Sequence, residues 1–192
     1  MRRCIMALFV TLWLAGCSDP DWQTKDISGL MPSLAFELID ENGNTVSADQ
    51  FLGKTTLLFF GFTHCPDVCP TTLSRLDAAT QRMDETARDE IQVLFVSVDP
   101  RRDDAETLDS YTDAFGPQFI GLTGDKAALD KLTRRYRVTY GYGEEDSEGN
   151  YDVSHSSAVF AFNAQGEARL LIRDSDPMEA VVADLGRLAS GA

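Results

Sequence analysis

Two cysteines, Cys65 and Cys69, stand in "GFTHCPDVCP" with three residues between them. A thiol pair so spaced can exchange with a disulfide, hold a metal ion, or staple the chain. Residues at i and i+4 share one face of a helical turn, so the two sulfurs can reach a common ligand or each other. The apolar, β-rich run "KTTLLFFGF" precedes the pair, and the helical pattern of "PTTLSRLDAATQRM" follows it. The pair therefore sits where a buried strand gives way to the start of a helix. Unsatisfied N–H groups there carry partial positive charge, which favours thiolate and predicts a lowered thiol pKa. Thiolates serve metal binding and disulfide exchange alike, so position leaves both open. Two thiolates suit a soft ion such as Cu(I) and fall short of the four ligands of a structural zinc site, so a metal reading calls for a third ligand.

The chain has only two histidines. His64 directly precedes Cys65, and adjacent side chains diverge; it is read as setting the local field or capping the loop. His155 lies 86 residues beyond Cys69, in "SHSS". Whether it meets the cysteines depends on the elements between. "SLAFELID" and "ENGN" predict an opening hairpin, and "IQVLFVSVDP" a second buried strand ending at Asp99. "DDAETLDSYTDAF" reads as a helix led by Asp103, with Glu106 three residues on. Pro70 is placed at the first position of the helix after the cysteines. "QFIGLTG" is strand-like, "DKAALDKLTRRYRV" helical, and the acidic, glycine-rich "TYGYGEEDSEGNYDV" a long inserted hairpin. "HSSAVFAFN" and "ARLLIRD" form a last hairpin before a helix that starts at Asp176 and Pro177. Strand, helix, strand, helix, hairpin, helix is the thioredoxin order. The expected fold is α/β and thioredoxin-like: a central mixed β-sheet flanked by helices, with an N-terminal hairpin and an inserted acidic hairpin. In such a sheet the loop entering the late hairpin lies near the start of the first helix. Thioredoxins keep a proline there; this chain offers His155.

The N-terminus differs in kind. "MRRC" is basic, "IMALFVTLWLAG" is an apolar run too short to span a bilayer comfortably, and small residues close it, as in a secretory signal. "LAGC", ending at Cys17, resembles the lipobox of bacterial lipoproteins, which implies lipidation of Cys17 and cleavage before it. The expected organisation is a signal peptide over 1–16, a lipidated cysteine and flexible tether over 17–32, and the folded domain over 33–192. Localisation follows: a bacterial cell membrane, lipid-anchored, with the domain facing the periplasm or the cell exterior. Cleavage removes Arg2, Arg3 and Cys4. Basic residues fall from 17 to 15 against 31 acidic, which takes the net charge from −14 to −16. So acidic a chain excludes nucleic acid as partner, since phosphate binding needs clustered Lys and Arg. With Cys17 lipidated, Cys65 and Cys69 have only each other or a metal, in a compartment that permits disulfides.

"GFTHCPDVCPTTL", "VLFVSVDPRRD", "FIGLTGD" and "YDVSHSSAVF", in that order, resemble the Sco/SenC family of copper-handling proteins from about Phe36 to the final helix. The resemblance implies that Cys65, Cys69 and His155 bind copper, as Cu(I) or Cu(II). It also implies a role toward the dinuclear copper centre of cytochrome c oxidase, whose copper-site subunit would be the partner, with other copper carriers or thiol reductants as further contacts. Many members have an acidic residue before the histidine; here it is Ser154. Asp99 is read as supporting the site or capping its turn, and Asp67 as a solvated loop carboxylate. Two functions follow: a metallochaperone that is not a turnover enzyme, or a thiol–disulfide oxidoreductase in which Cys65 attacks and Cys69 resolves. A peroxiredoxin-like peroxidase would need an arginine beside the cysteine, and the nearest candidate, Arg75, is a turn and a half into the helix. A structural disulfide closing so short a loop adds little stability on the chain-entropy model.

Overall fold

A computed structural model describes residues 21–191. The expected signal over 1–16 and the expected lipidation of Cys17 lie outside the described residues. The densest apolar run, Thr55–Gly61, forms strand β4 of the numbering used below, and every residue in it is buried. Its burial on both faces is what a central strand requires. It pairs in parallel with β5 (Ile91–Ser97), from Thr55↔Ile91 to Gly61↔Ser97, and antiparallel with β9 (Val159–Phe162).

The other strands are β1 (Lys25–Asp26), β2 (Glu37–Asp40), β3 (Thr45–Ser47), β6 (Phe119–Thr123) and β10 (Ala168–Ile172). Among the described residues they build one mixed sheet in the order β1-β10-β9-β4-β5-β6-β2-β3. β7 (Tyr140–Tyr142) and β8 (Val153–His155) pair only with each other, as the inserted acidic hairpin. The helices are α1 (Val68–Thr80), α2 (Glu85–Asp89), α3 (Ala105–Thr112), α4 (Lys126–Arg135) and α5 (Met178–Ala189). The fold is thioredoxin-like, and both expected hairpins, β2–β3 and β7–β8, are present. Parallel pairing places the C-terminal ends of β4 and β5 side by side, tied by Val98 N–H donating to the Gly61 carbonyl at 2.8 Å. The cysteine loop leaves from one of these ends and the Asp99–Asp103 loop from the other.

Four local expectations are corrected. α1 starts at Val68, so Cys69 lies in its first turn and Pro70 is its third residue rather than its first. It ends at Thr80, and the short α2, capped by Asp84 accepting from Ala87 N–H at 3.0 Å, takes up the chain before β5. Asp104, not Asp103, caps α3, accepting from Thr107 N–H at 2.9 Å, because the Asp103 carboxylate turns into the protein. The stretch up to residue 32 is not tether throughout. β1 pairs with β10, and Thr24 and Ile27 are buried. The cause is Asp184 of α5, fully buried, whose carboxylate accepts from Gln23 N–H (3.0 Å), Thr24 N–H (2.7 Å) and the Thr24 hydroxyl (2.8 Å).

Candidate metal centre

The cysteine loop is shaped by backbone before any metal enters. Cys65 N–H donates to the Phe62 carbonyl at 3.2 Å, and Cys69 N–H donates to Cys65 Sγ at 3.3 Å. One sulfur thus satisfies a free donor in the first turn of α1. Cys65 is half-buried, Cys69 is fully buried, and both are free thiols. Cys69 Sγ lies against Gly61: a Cβ there would stand 2.8 Å from the sulfur and 2.6 Å from the Phe95 ring. The glycine that ends β4 makes room for the sulfur.

His155 is the last residue of β8, so the inserted hairpin carries it rather than the strand that follows. Its Nε2 lies 3.2 Å from Cys69 Sγ, and its Nδ1 lies 3.0 Å from the Ser156 carbonyl. A ring nitrogen facing a carbonyl holds the proton, which leaves the Nε2 lone pair toward the sulfur. The ring meets Phe59 and Phe62 edge-on, at centroid distances of 6.0 and 5.7 Å. The donor atoms of Cys65, Cys69 and His155 all lie within 4.8 Å of one another. Two sulfurs and one imidazole nitrogen form a soft, three-donor set suited to Cu(I).

The helix start does not lower the Cys69 pKa, contrary to the expectation from position. Burial pushes this thiol well above the ordinary cysteine range; a backbone hydrogen bond from Phe62 opposes the shift but is outweighed, and Cys65 and Asp103 add to it. Without metal, Cys69 is a neutral thiol able to donate toward His155. A bound cation takes the place of that proton.

Two buried carboxylates hold the parts together. Asp103 accepts from Thr63 N–H (2.8 Å), the Thr63 hydroxyl (2.6 Å) and the Ser97 hydroxyl (2.5 Å), which clamps the cysteine loop to the end of β5. Asp99 accepts from the Tyr151 hydroxyl (2.6 Å) and from Arg102 Nε (2.5 Å). Arg102 also donates to the Tyr151 carbonyl, and its guanidinium lies 3.8 Å from the centroid of the Tyr151 ring and 5.7 Å from that of Phe62. The Tyr142 hydroxyl donates to the Val98 carbonyl at 2.5 Å. Asp99 therefore supports the site indirectly, by anchoring the hairpin that carries His155.

His64 is 55% exposed, bonds to Thr63 Oγ1 at 3.1 Å and lies 3.7 Å from Asp103, outside the donor group. Asp67 is exposed, and its carboxylate accepts from the Thr71 hydroxyl. Ser154 is exposed and bonds across the hairpin to the Gly141 carbonyl, so it does not orient His155. Arg75 donates to the carbonyls of Arg173, Asp174 and Asp176, which occupies the one arginine considered for a peroxidase. Asp103, Arg102, Tyr151 and Gly61 escaped sequence reasoning as site residues. Asp103 carried a signal, but an aspartate just before a helix also looks like a cap.

A family model described as SCO1/SenC matches residues 30–190. An SCO2-like protein of Rickettsia felis is 36% identical over 146 residues, covering 75% of this chain and 71% of the relative. The mitochondrial SCO2 homolog of Mus musculus is 34% identical over 176 residues, covering 86% and 69%. Among solved structures, Bradyrhizobium japonicum ScoI with copper bound superposes with a TM-score of 0.73 at 35% identity, covering 81% of this chain and 98% of that one. Apo Sco1 from Thermus thermophilus superposes with a TM-score of 0.77 at 38% identity, covering 87% and 96%. With the fold, the length of the match and the three converging donors in agreement, the chain belongs to the SCO1/SenC family.

Proposed function

We propose that this protein is a membrane-tethered copper metallochaperone that binds Cu(I) or Cu(II) through Cys65, Cys69 and His155 and serves assembly of the dinuclear copper centre of cytochrome c oxidase. The observation that carries the reading is the convergence of three soft donors within 4.8 Å, one of them 86 residues beyond Cys69 in the chain. Cu(I) takes a trigonal arrangement on these donors, and Cu(II) keeps them in a more tetragonal one. Delivery proceeds by ligand exchange, in which an acceptor thiol replaces one donor at a time. Cys65, the less buried residue of the pair, is the natural first to leave. The copper-site subunit of the oxidase is the acceptor, as the family resemblance implies. Lipidation at Cys17 would hold the domain at the outer face of a bacterial cell membrane, in the periplasm or at the cell exterior.

The test is copper titration of the full chain in detergent, reduced and without oxygen, beside His155→Ala. A Cys65→Ser/Cys69→Ser double variant serves as the blank for other thiols. One copper per chain above the blank is expected, with a sulfur-to-Cu(II) charge-transfer band that is lost or displaced in His155→Ala. Binding indifferent to His155 would remove it from the ligand set.

A thiol–disulfide oxidoreductase is the second reading, acting on the oxidase cysteines or in redox signalling. The asymmetry of the pair favours it: Cys65 is placed to attack, and buried Cys69 to resolve. Reduction of a disulfide in a copper-site peptide by the metal-free protein, lost in Cys65→Ser, would support it. The two roles are compatible, because copper binding requires reduced thiols.

A further inference from the structure

The chain enters the fold at a point that is firmly held. The Arg187 guanidinium donates to the Asp21 carbonyl at 2.9 Å, and the centroid of the Trp22 ring lies 5.7 Å from the guanidinium of Arg169 and 5.5 Å from that of Arg187. Asp184 holds the backbone of Gln23 and Thr24 directly after. Only Ser18, Asp19 and Pro20 separate Asp21 from Cys17 in the sequence. Four steps at about 3.5 Å each reach about 14 Å at most. A link so short keeps the domain against the membrane that anchors it, so one part of its surface faces lipid.

The entry point selects that part. Trp22 lines a shallow hollow with Gly29, Met31 and Glu167. Glu167 belongs to the turn that joins β9 to β10 at the end of the sheet where β4 begins, and Gly53 N–H, just before β4, donates to the Ala164 carbonyl of that turn at 2.8 Å. The metal centre stands at the opposite end, beyond the last residues of β4 and β5. Across the seven residues of β4 the two ends are about 20 Å apart. Leu30, 61% exposed, and Leu52, 45% exposed, are the two most exposed large apolar side chains among the described residues. Both are at the entry end. Leu30 lies between Gly29 and Met31 of the hollow, and Leu34 N–H ties its loop to the Gly166 carbonyl at 2.7 Å. Leu52 covers Gly166 from the other side: a Cβ on that glycine would stand 2.8 Å from Leu52 Cδ2. Lys54, Arg169 and Arg187 are interspersed here with acidic residues such as Asp26 and Glu167. The hairpin beside the metal centre carries exposed carboxylates instead, which an anionic lipid surface repels.

We propose that this end of the sheet is a membrane-contact surface. Leu30 and Leu52 enter the headgroup region of the anchoring membrane, Lys54, Arg169 and Arg187 meet its phosphates, and the metal centre faces away from the lipid. This rests on the membrane tether proposed above. It adds an orientation: an acceptor must present its own site about 20 Å or more above the lipid surface, the length of the sheet.

The test uses the full chain expressed in a bacterium, freed of metal and reconstituted from detergent into vesicles of phosphatidylethanolamine and phosphatidylglycerol with nitroxide-bearing acyl chains. A dansyl-bearing amino acid replaces one exposed residue at a time: Leu30, Gln165 in the β9–β10 turn, or Glu148 on the hairpin beside the metal centre. Emission from positions 30 and 165 is expected to be quenched, and emission from 148 retained. Leu30→Ser/Leu52→Ser should restore the emission from 165 while the chain still floats with the vesicles. Chain that floats with the vesicles yet is quenched equally at 165 and 148 would overturn this inference and leave the tether standing. Quenching at 165 that survives the double variant would overturn it too, because the leucines would then not make the contact. Chain that does not float with the vesicles would overturn the tether and this inference together.

Discussion

At the scale of single residues, the centre is governed by a proton and a missing methyl group. Burial keeps the Cys69 thiol neutral through the physiological range. Metal must displace that proton, so binding releases it, and affinity rises with pH below the raised pKa. Cu(I) affinity is expected to increase about tenfold per pH unit for each proton released between pH 6 and 8. Chelator competition at several pH values checks the slope, and a pH-independent affinity would show that Cys69 was already ionised. Gly61 sets the second condition. Gly61→Ala would put a methyl 2.8 Å from Cys69 Sγ and 2.6 Å from Phe95, both packed and unable to yield cheaply. Overpacking of this kind costs about 1–3 kcal/mol. A lower melting temperature together with weakened copper binding is expected, because the sulfur is pushed from its place.

At the scale of elements, the site is a junction between a loop and a hairpin that never pair as strands. Asp103 holds the loop, and Asp99 holds the hairpin through Tyr151 and Arg102. Asp103→Ala would leave Thr63 N–H and the Ser97 hydroxyl without their acceptor, at a cost of about 3 kcal/mol. Denaturant unfolding reads the cost, and faster amide exchange over 62–69 is the local sign. Tyr151→Phe removes one bond to a buried carboxylate, worth about 1.5–3 kcal/mol. Here the loosened part is the hairpin. Exchange should rise over 140–155, and Cu(II) binding should suffer, while the cysteine loop stays protected. Equal protection of the hairpin in wild type and variant would show that Asp99 does not anchor it.

At the scale of the whole molecule, the domain begins earlier than its first long strand. Asp184 near the C-terminus binds the backbone of Gln23 and Thr24, so the two ends of the described chain are joined across the β1–β10 edge. Asp184→Ala would strand two backbone donors and a hydroxyl, at a cost of about 3 kcal/mol. In a chain of this size that corresponds to a fall of about 10 °C in melting temperature. A chain begun at residue 33 should melt lower as well, and equal melting of the two lengths would make residues 21–32 a mere linker. Acidic residues Glu144, Glu145, Asp146, Glu148 and Asp152 are exposed on the hairpin beside the metal centre. A surface of this charge suits a basic acceptor and repels nucleic acid.

The order of strands and helices was legible in the sequence because apolar periodicity and turn residues are local signals. "KTTLLFFGF" reads as a strand buried on both faces, and the acidic, glycine-rich stretch most simply as a hairpin. The pairing of His155 with Cys65 and Cys69 was legible at one remove, through the thioredoxin order and the family resemblance. What sequence alone could not decide were matters of environment. The start of a helix argued for an ionised Cys69, but the depth of the α1–β4 packing set the opposite sign, since desolvation outweighs the partial charge of a few N–H groups. Asp103, Asp99 and Asp184 have sequence contexts that suit caps or solvated faces. Only the tertiary structure turns their carboxylates inward, where donors from distant segments converge on them, and no local pattern records a contact made between segments so far apart in the chain.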